Sequence, residues 1–280
     1  MTGILAALVS AFAYGISDFV GGVAARRVAA LRIILVSYPV AMVLLAVAAT
    51  VVGGQVSPPA VFWGAVCGIS QALGVWWFYA ALGAGPISVV SPLTAILVAG
   101  VPVTVGLALG ERPAALAGVG IVVALLAVFL VSRDASDPGS ARPFTKKVAW
   151  LTVGSGLAFG LNFVLIDQAP VEAGLWPLVF GRISATVLVV VFAILTRNLM
   201  PPQGAPLKLA LLAAVLDTVA NVAMLLALHS SLLSLAGVLI SLYPAATVLL
   251  AIVVLRERVT WRQVVGMVLA LAAVAMIAAG

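Results

Sequence analysis

The feature that most constrains this chain is a succession of long apolar stretches, each about as long as one membrane span and each ended by a short polar segment. A helix needs roughly 20 apolar residues to cross a bilayer, whereas a β-barrel strand shows only short alternating runs. The stretches here do not alternate. Hydrophobic residues make up 65% of the chain and charged residues 8%, which leaves too little polar surface for a soluble protein. The sequence therefore predicts an all-α membrane protein and excludes soluble enzymes and disordered proteins.

The polar breaks divide the apolar sequence into ten predicted transmembrane helices. Their ranges are 2–24, 33–52, 60–82, 87–109, 114–131, 148–166, 176–196, 207–228, 232–255 and 261–279. The one long polar segment, 132–147, lies near the middle of the chain and separates five spans from five others. We therefore predict two five-helix repeats, 1–131 and 148–280, joined by a polar cytoplasmic linker.

Matches between the two halves favour an internal duplication. The aligned residues are Glu111-Arg112 with Glu257-Arg258 and Gly120 with Gly266 at a shift of 146, and Ala13-Tyr14-Gly15 with Ala158-Phe159-Gly160 at a shift of 145. Ala and Leu matches between apolar helices arise readily from composition, so the charged pair is the stronger signal. Because five is an odd number, such a duplication predicts a second half inverted relative to the first.

The distribution of basic residues predicts the orientation of the spans. Loops after odd-numbered spans hold 12 Lys and Arg residues, and the opposite loops hold only Arg112. The positive-inside rule then places the odd loops in the cytoplasm and both termini outside, and it explains the net charge of +6 without a nucleic-acid partner. We expect a multi-pass protein of the cell (inner) membrane, in contact with the lipid bilayer. The twelve are Arg26, Arg27, Arg32, Arg133, Arg142, Lys146, Lys147, Arg197, Lys208, Arg256, Arg258 and Arg262.

Ionisable residues inside spans are rare, and each costs a few kcal/mol or more to place near the bilayer centre. Asp217 lies about ten residues into span 8, which is roughly 15 Å deep, and Asn221 shares its helix face one turn later. Arg182 lies six residues into span 7. Two interpretations stay open: either Arg182 and Asp217 pair to fix packing, or Asp217 contacts a cationic substrate or a proton while Arg182 holds a substrate carboxylate. Asp18, beside two arginines, is interpreted as a solvated carboxylate at the membrane interface.

Polar side chains within the apolar runs predict a cavity, because such groups need a hydrogen-bond partner or water in lipid. Phe78 lies seven residues after Gln71 and so on the same helix face. Under the duplication, Gln71 is the counterpart of Asp217. Ser17 is likewise the counterpart of Asn162. Corresponding positions would face one another across a pseudo-two-fold axis, where transporters of this kind place substrates. Each residue could instead bond one helix to another. The predicted substrate-binding residues are Tyr14, Ser17, Gln71, Phe78, Asn162, Arg182, Asp217, Asn221 and Tyr243.

Sequence signatures of catalysis and of cofactor binding are missing. His229 is the only histidine and Cys67 the only cysteine, so neither a metal cluster nor an internal disulfide is expected. No Gly-rich phosphate loop followed by Lys-Ser or Lys-Thr occurs, so the chain is no ATP-driven pump on its own. We predict a protein that is not an enzyme and that has no cofactor.

Five short motifs occur in a definite order along the chain. They are Ala13-Tyr14-Gly15, Gly110-Glu111-Arg112-Pro113, Ala158-Phe159-Gly160, Tyr243-Pro244 and Arg256-Glu257-Arg258-Val259-Thr260. With ten spans in two halves, this order resembles EamA-type proteins of the drug/metabolite transporter superfamily over essentially the whole chain. The proline that the family tends to place thirteen residues before the Glu is Pro244 in the second half, but the first half has Val98 there. Members are often drawn with both termini in the cytoplasm, which the charge distribution here opposes.

The resemblance implies a secondary transporter that moves a small organic metabolite, amino acid or drug across the inner or plasma membrane. Export is the expected direction and alternating access the expected mechanism, with a substrate or proton gradient supplying the energy. The expected partners are therefore a small-molecule substrate, the bilayer and protons. A second hypothesis is a lipid-handling, flippase-like membrane protein whose polar residues meet a lipid headgroup.

Overall fold

The computed structural model describes residues 2–25, 27–84, 87–133, 145–243, 245–246, 250 and 261–279. These residues fold into α-helices with one short 3-10 turn, Val171–Ala173, and contain no β-strand. The helices are α1 (Thr2–Ala25), α2 (Ala30–Val52), α3 (Pro58–Ala84), α4 (Ile87–Ala108), α5 (Ala115–Arg133), α6 (Lys146–Asp167), α7 (Trp176–Leu195), α8 (Ala205–Ser230), α9 (Leu233–Ile240) and α10 (Trp261–Ala279).

Nine of the predicted spans coincide with helices to within three residues at each end. Local chemistry sets several of these ends. Thr145 caps α6 by accepting a hydrogen bond from the Val148 amide at 3.3 Å, and α2 stops at Gly53, whose φ of 82° favours glycine. Among the described residues, six helices are long and apolar enough to cross a membrane, and three more contain shorter apolar stretches. The all-helical prediction is confirmed for this part of the chain, while the number of crossings stays a prediction.

The predicted ninth span is interrupted after Ile240; helical residues resume at Tyr243, and 244, 247–249 and 251–255 of the span lie outside the described residues. α9 ends at Ile240, and a turn follows at Ser241 and Leu242. The sequence has Pro244 four residues after Ile240, and proline has no N–H with which to bond the carbonyl four residues earlier. The Arg-Glu-Arg motif within 251–260 lies outside the described residues.

The helices of each half pack largely against the other half. The most extensive contacts join α1 to α8, α3 to α6 and α5 to α10. Under the proposed duplication α1 corresponds to α6 and α3 to α8, so the first two contacts are one arrangement repeated. The largest cluster of buried apolar residues draws on both halves, with Leu45, Val128, Met224 and Leu239 among its most buried members. The core therefore lies between the halves rather than within each.

The crossing of α3 and α7 is close because glycines face each other there. A Cβ atom on Gly181 would lie 3.1 Å from the Gly64 carbonyl oxygen, and one on Gly68 would clash with the Gly181 carbonyl. Ser184 adds a hydrogen bond from its hydroxyl to the Ala65 carbonyl at 2.8 Å. Small residues let membrane helices approach in this way. The crossing fixes α7 and with it Arg182, the residue after Gly181.

Candidate functional site

A cavity of about 190 Å³ lies among helices of both halves. Its wall is formed by α1, α2, α3 and α4 from the first half and by α6, α8 and Tyr243 from the second. A cavity of only about 10–15 Å³, measured in the same way, holds one water molecule. The cavity therefore has room for a small organic molecule.

Seven of the nine predicted substrate-binding residues line this cavity. They are Tyr14, Ser17, Gln71, Phe78, Asn162, Asp217 and Tyr243. These residues come from five different segments of the chain and meet only through the packing between halves. Their role in binding a substrate stays a prediction.

Arg182 and Asp217 form an ion pair in the wall of the cavity. Nη2 of Arg182 donates a hydrogen bond to Oδ2 of Asp217. The arginine side chain is only 2% exposed, whereas the aspartate is 20% exposed. The guanidinium thus lies behind the carboxylate, and only the carboxylate faces the cavity. The structure contains the pair that the packing interpretation of these two residues requires.

A second contact holds the same arginine from the first half. The guanidinium carbon of Arg182 lies 4.6 Å from the centroid of the Tyr38 ring, which is a cation–π geometry. Tyr38 belongs to α2, and Asp217 belongs to α8. Arg182 is therefore fixed between one residue of each half.

Asn221 is the other predicted site residue that is not among the lining residues. It is 4% exposed, and its Nδ2 donates to the Asp217 carbonyl of its own helix at 2.7 Å. Four residues along a helix make about one turn, so Asn221 lies on the same face as Asp217 but one turn beyond the described lining of the cavity. The side-chain amide of Asn221 is therefore hydrogen-bonded within α8.

Two hydrogen bonds between helices occupy the same place in each half. The Ser17 hydroxyl donates to the Ala213 carbonyl at 3.1 Å, and Nδ2 of Asn162 donates to the Cys67 carbonyl, also at 3.1 Å. The shift of 145 residues converts Ser17 into Asn162. The shift of 146 residues converts Cys67 into Ala213. The same pair of positions is thus joined by a side chain in α1 and α8 and again in α6 and α3.

An aromatic contact repeats in the same way. The Tyr14 hydroxyl donates to Sδ of Met224 at 3.6 Å. At the shifted positions, the rings of Phe159 and Phe78 meet edge to face with their centroids 6.1 Å apart. The chemistry of this contact differs between the halves, and its position is the same.

Three polar lining residues were not predicted from the sequence. Asp18 lines the cavity and is exposed there, although it was expected at the membrane interface. Ser37 and Tyr38, which also line the wall, are polar residues inside the second predicted span. A signal for Asp18 was present, because it lies one helical turn after Tyr14 and on the same face.

Glu111 of the Gly110-Glu111-Arg112-Pro113 motif in the first half forms hydrogen bonds with the second half. Its two carboxylate oxygens accept hydrogen bonds from the amides of Leu233, at 2.5 Å, and Ser234, at 3.0 Å. These amides begin α9 and have no partner within their own helix. A negative charge at this end also suits the helix dipole. Glu111 therefore caps a helix of the opposite half.

The chemistry of the cavity is that of a binding site. Two carboxylates, several hydroxyl and amide groups and a set of aromatic rings line it. Within the ranges described above, no three His, Cys, Asp or Glu side chains are grouped so that they could hold a metal ion. The arrangement can recognise a small solute through hydrogen bonds, charge and ring contacts.

The sequence model of the EamA-like transporter family matches the chain twice, over residues 1–133 and 146–279. The chain belongs to this family. Membership confirms the resemblance drawn from the motifs. This EamA-like protein is accordingly an integral, multi-pass membrane protein of a transporter family.

Comparison with solved structures gives the same architecture. One crystal structure of a protein aligns over 99% of this chain and 98% of its own length, with a TM-score of 0.79 and 17% sequence identity. At that identity the likeness shows the fold alone. No curated protein matches this EamA-like chain in sequence.

Proposed function

We propose that this EamA-like protein is a secondary transporter that exports a small organic metabolite, amino acid or drug across the cell (inner) membrane. The observation that carries the proposal is the central cavity, which both halves build and polar side chains line. A substrate site near the membrane centre, between two related halves, is the usual arrangement for alternating access. A substrate or proton gradient would supply the energy.

The proposal includes ten membrane spans in two inverted halves, 1–131 and 148–280, with 132–147 as the linker. The repeated hydrogen bonds, Ser17 with Ala213 and Asn162 with Cys67, support the duplication. Their positions are related by the same shifts that align the halves in sequence.

The position of the cavity supports a conformation open toward one side. The described lining residues of α1, α2, α3 and α8 lie at the middle of their helix or nearer the end joined to an odd-numbered loop, whereas those of α6, Phe159, Asn162 and Phe163, lie nearer the end joined to the loop after span 6. At the opposite ends, loops of the two halves are bonded together: the Gln55 amide donates to the Glu172 carbonyl at 2.8 Å, and Glu111 caps α9. By the charge distribution, the open side is the cytoplasmic one. In the other state of an alternating-access cycle, these contacts at the external ends would break and the cavity would open to the outside.

Two glycines allow a matched test of the cavity. Gly21 lines the cavity, and a Cβ atom there would meet nothing within 4 Å; the same space is open at Gly118, which is not among the lining residues. Gly21→Phe should fill the cavity without a clash, and Gly118→Phe should not touch it. A thermal-shift screen of amino acids, amines and drug-like compounds on the purified protein selects the radiolabelled solute. Counterflow of that solute is then measured in proteoliposomes.

We expect counterflow with the wild type and with Gly118→Phe, and at least a tenfold lower rate with Gly21→Phe. Equal rates in all three proteins would mean that solute does not pass through this cavity. Movement of a fluorescent phospholipid between leaflets, without counterflow of any solute, would instead favour the lipid-handling hypothesis.

A further inference from the structure

The two carboxylates in the cavity wall are not equivalent. Asp217 has a fixed cation, because Arg182 bonds it from behind and Tyr38 covers that arginine. A substrate that approached Asp217 would meet a charge that the protein already neutralises. A site for a charged group must therefore be sought elsewhere in the wall.

Asp18 is the carboxylate without a partner. No hydrogen bond or ion pair joins its side chain to any part of the chain that the structure describes, and it is exposed to the cavity. It lies within the apolar segment Thr2–Gly21 of α1, which is long enough to span a membrane. An ionisable group in such a segment is costly, and one that the fold does not use points to a function.

The rest of the wall leaves that negative charge unbalanced. Among the described lining residues none is Lys, Arg or His. With Arg182 counted against Asp217, the region keeps one net negative charge, that of Asp18. Aromatic rings share the same wall, and Phe78 and Phe159 meet edge to face within it. The wall thus combines one free anion with apolar ring surfaces.

We propose that the cavity binds a small organic monocation, an amine attached to an apolar or aromatic body, with Asp18 as its counter-charge. The rings of Phe78 and Phe159 offer the surface for the apolar body, and aromatic faces attract cations as well. A zwitterionic amino acid is a poorer match, because its carboxylate would find no free cation in the described wall. This inference rests on the proposed transport function and names its substrate class.

The test uses four probes that share one phenyl body and differ in charge. They are 2-phenylethylamine, 2-phenylethanol, 3-phenylpropanoate and phenylalanine. Binding to the purified full-length protein is measured by isothermal titration calorimetry at neutral pH. We expect the amine to bind at least tenfold more tightly than each of the other three, which is about 1.4 kcal/mol. Equal or weaker binding of the amine overturns the inference, and this comparison needs no variant.

A variant locates the charge that matters. Asp18→Asn keeps the size of the side chain and removes its charge, so the affinity for the amine should fall at least tenfold while that for the alcohol stays the same. Asp167→Asn is the matched control, since Asp167 ends α6 and is not among the lining residues. Unchanged amine affinity in Asp18→Asn would contradict the role of Asp18.

Counterflow separates this inference from the transport proposal. If a neutral, anionic or zwitterionic probe is exchanged and the amine is not, the substrate class is wrong and transport stands. If Gly21→Phe leaves counterflow of every exchanged probe unchanged, transport through this cavity is wrong. The two failures therefore give different results.

Discussion

Asp217 and Asp18 lie in the wall of one cavity, yet only the carboxylate of Asp217 is bonded to another side chain among the described residues. Asp217 is bonded to a buried arginine, and its helix also uses its carbonyl to hold Asn221. Asp18 has no protein partner among the described residues. Polar groups in the membrane helices therefore differ in use: those with partners hold the halves together, and we propose that the one without a described partner binds a ligand.

The largest effect is expected from removing the charge of Asp217. Asp217→Asn leaves the Arg182 guanidinium buried without its counter-charge, which typically costs about 3–5 kcal/mol. The variant should show a much lower melting temperature and a lower yield of monodisperse protein. Replacing both partners, as Arg182→Met with Asp217→Asn, should recover most of the loss, because no buried charge remains. A melting temperature for Asp217→Asn equal to that of the wild type would mean that the ion pair with Arg182 does not stabilise the fold, so that the two aspartates would not differ in this respect.

Glu111 is a third carboxylate, and the fold uses both of its oxygens. Glu111→Ala removes the acceptor for two amides at the start of α9 and should cost about 1–2 kcal/mol, as the loss of a helix cap does. Hydrogen exchange measured by mass spectrometry should become faster around Leu233 and Ser234. The control is Glu172→Ala, an exposed glutamate whose loss should leave exchange there unchanged. Equal exchange in both variants would show that the cap contributes nothing.

The repeated pair of hydrogen bonds predicts a smaller effect with a definite order. Asn162→Ala loses donors to the Cys67 carbonyl and sulfur and should cost about 1 kcal/mol. Ser17→Ala loses one bond, to the Ala213 carbonyl, and should cost about 0.6 kcal/mol, the average for such bonds between membrane helices. Melting temperatures of the two variants should follow this order. A larger loss of stability in Ser17→Ala than in Asn162→Ala would mean that the number of hydrogen bonds lost does not decide the stability of these contacts.

The smallest change in stability is expected at Asp18. Asp18→Asn removes no bond within the described structure, so the free energy of unfolding should change by no more than about 0.5 kcal/mol. The melting temperature without ligand tests this. A loss as large as that of Asp217→Asn would show that the fold depends on Asp18, and the free carboxylate would no longer be available to explain binding.

Helix positions could be predicted from the sequence because the apolar runs and the Gly and Pro breaks between them decide where membrane helices start and end. The ninth span is the exception, since a hydropathy run does not show that the helix is interrupted after Ile240. The closeness of α3 and α7 depends on glycines that face each other, and their pairing across helices cannot be deduced from one sequence.

The cavity residues were predictable in part. Tyr14, Ser17 and Gln71 stand out because polar groups are rare in apolar runs. The sequence could not distinguish a carboxylate at a membrane interface from one that faces a cavity, so Asp18 was not among the predicted cavity residues. Nor could it give the extent of the cavity along α8, whose described lining includes Asp217 but not Asn221 one turn later.

Transport by alternating access requires that Gly21, in the cavity wall, be accessible first from one side of the membrane and then from the other. The only native cysteine, Cys67, is buried, so the wild type is the unreactive control for Gly21→Cys. A membrane-impermeant thiol reagent is applied to oriented vesicles from the cytoplasmic or the external side. We predict that Gly21→Cys is labelled from both sides, and that a bound solute slows labelling from each. Labelling from one side alone under every condition would mean that the cavity is a static pocket, and would contradict the account.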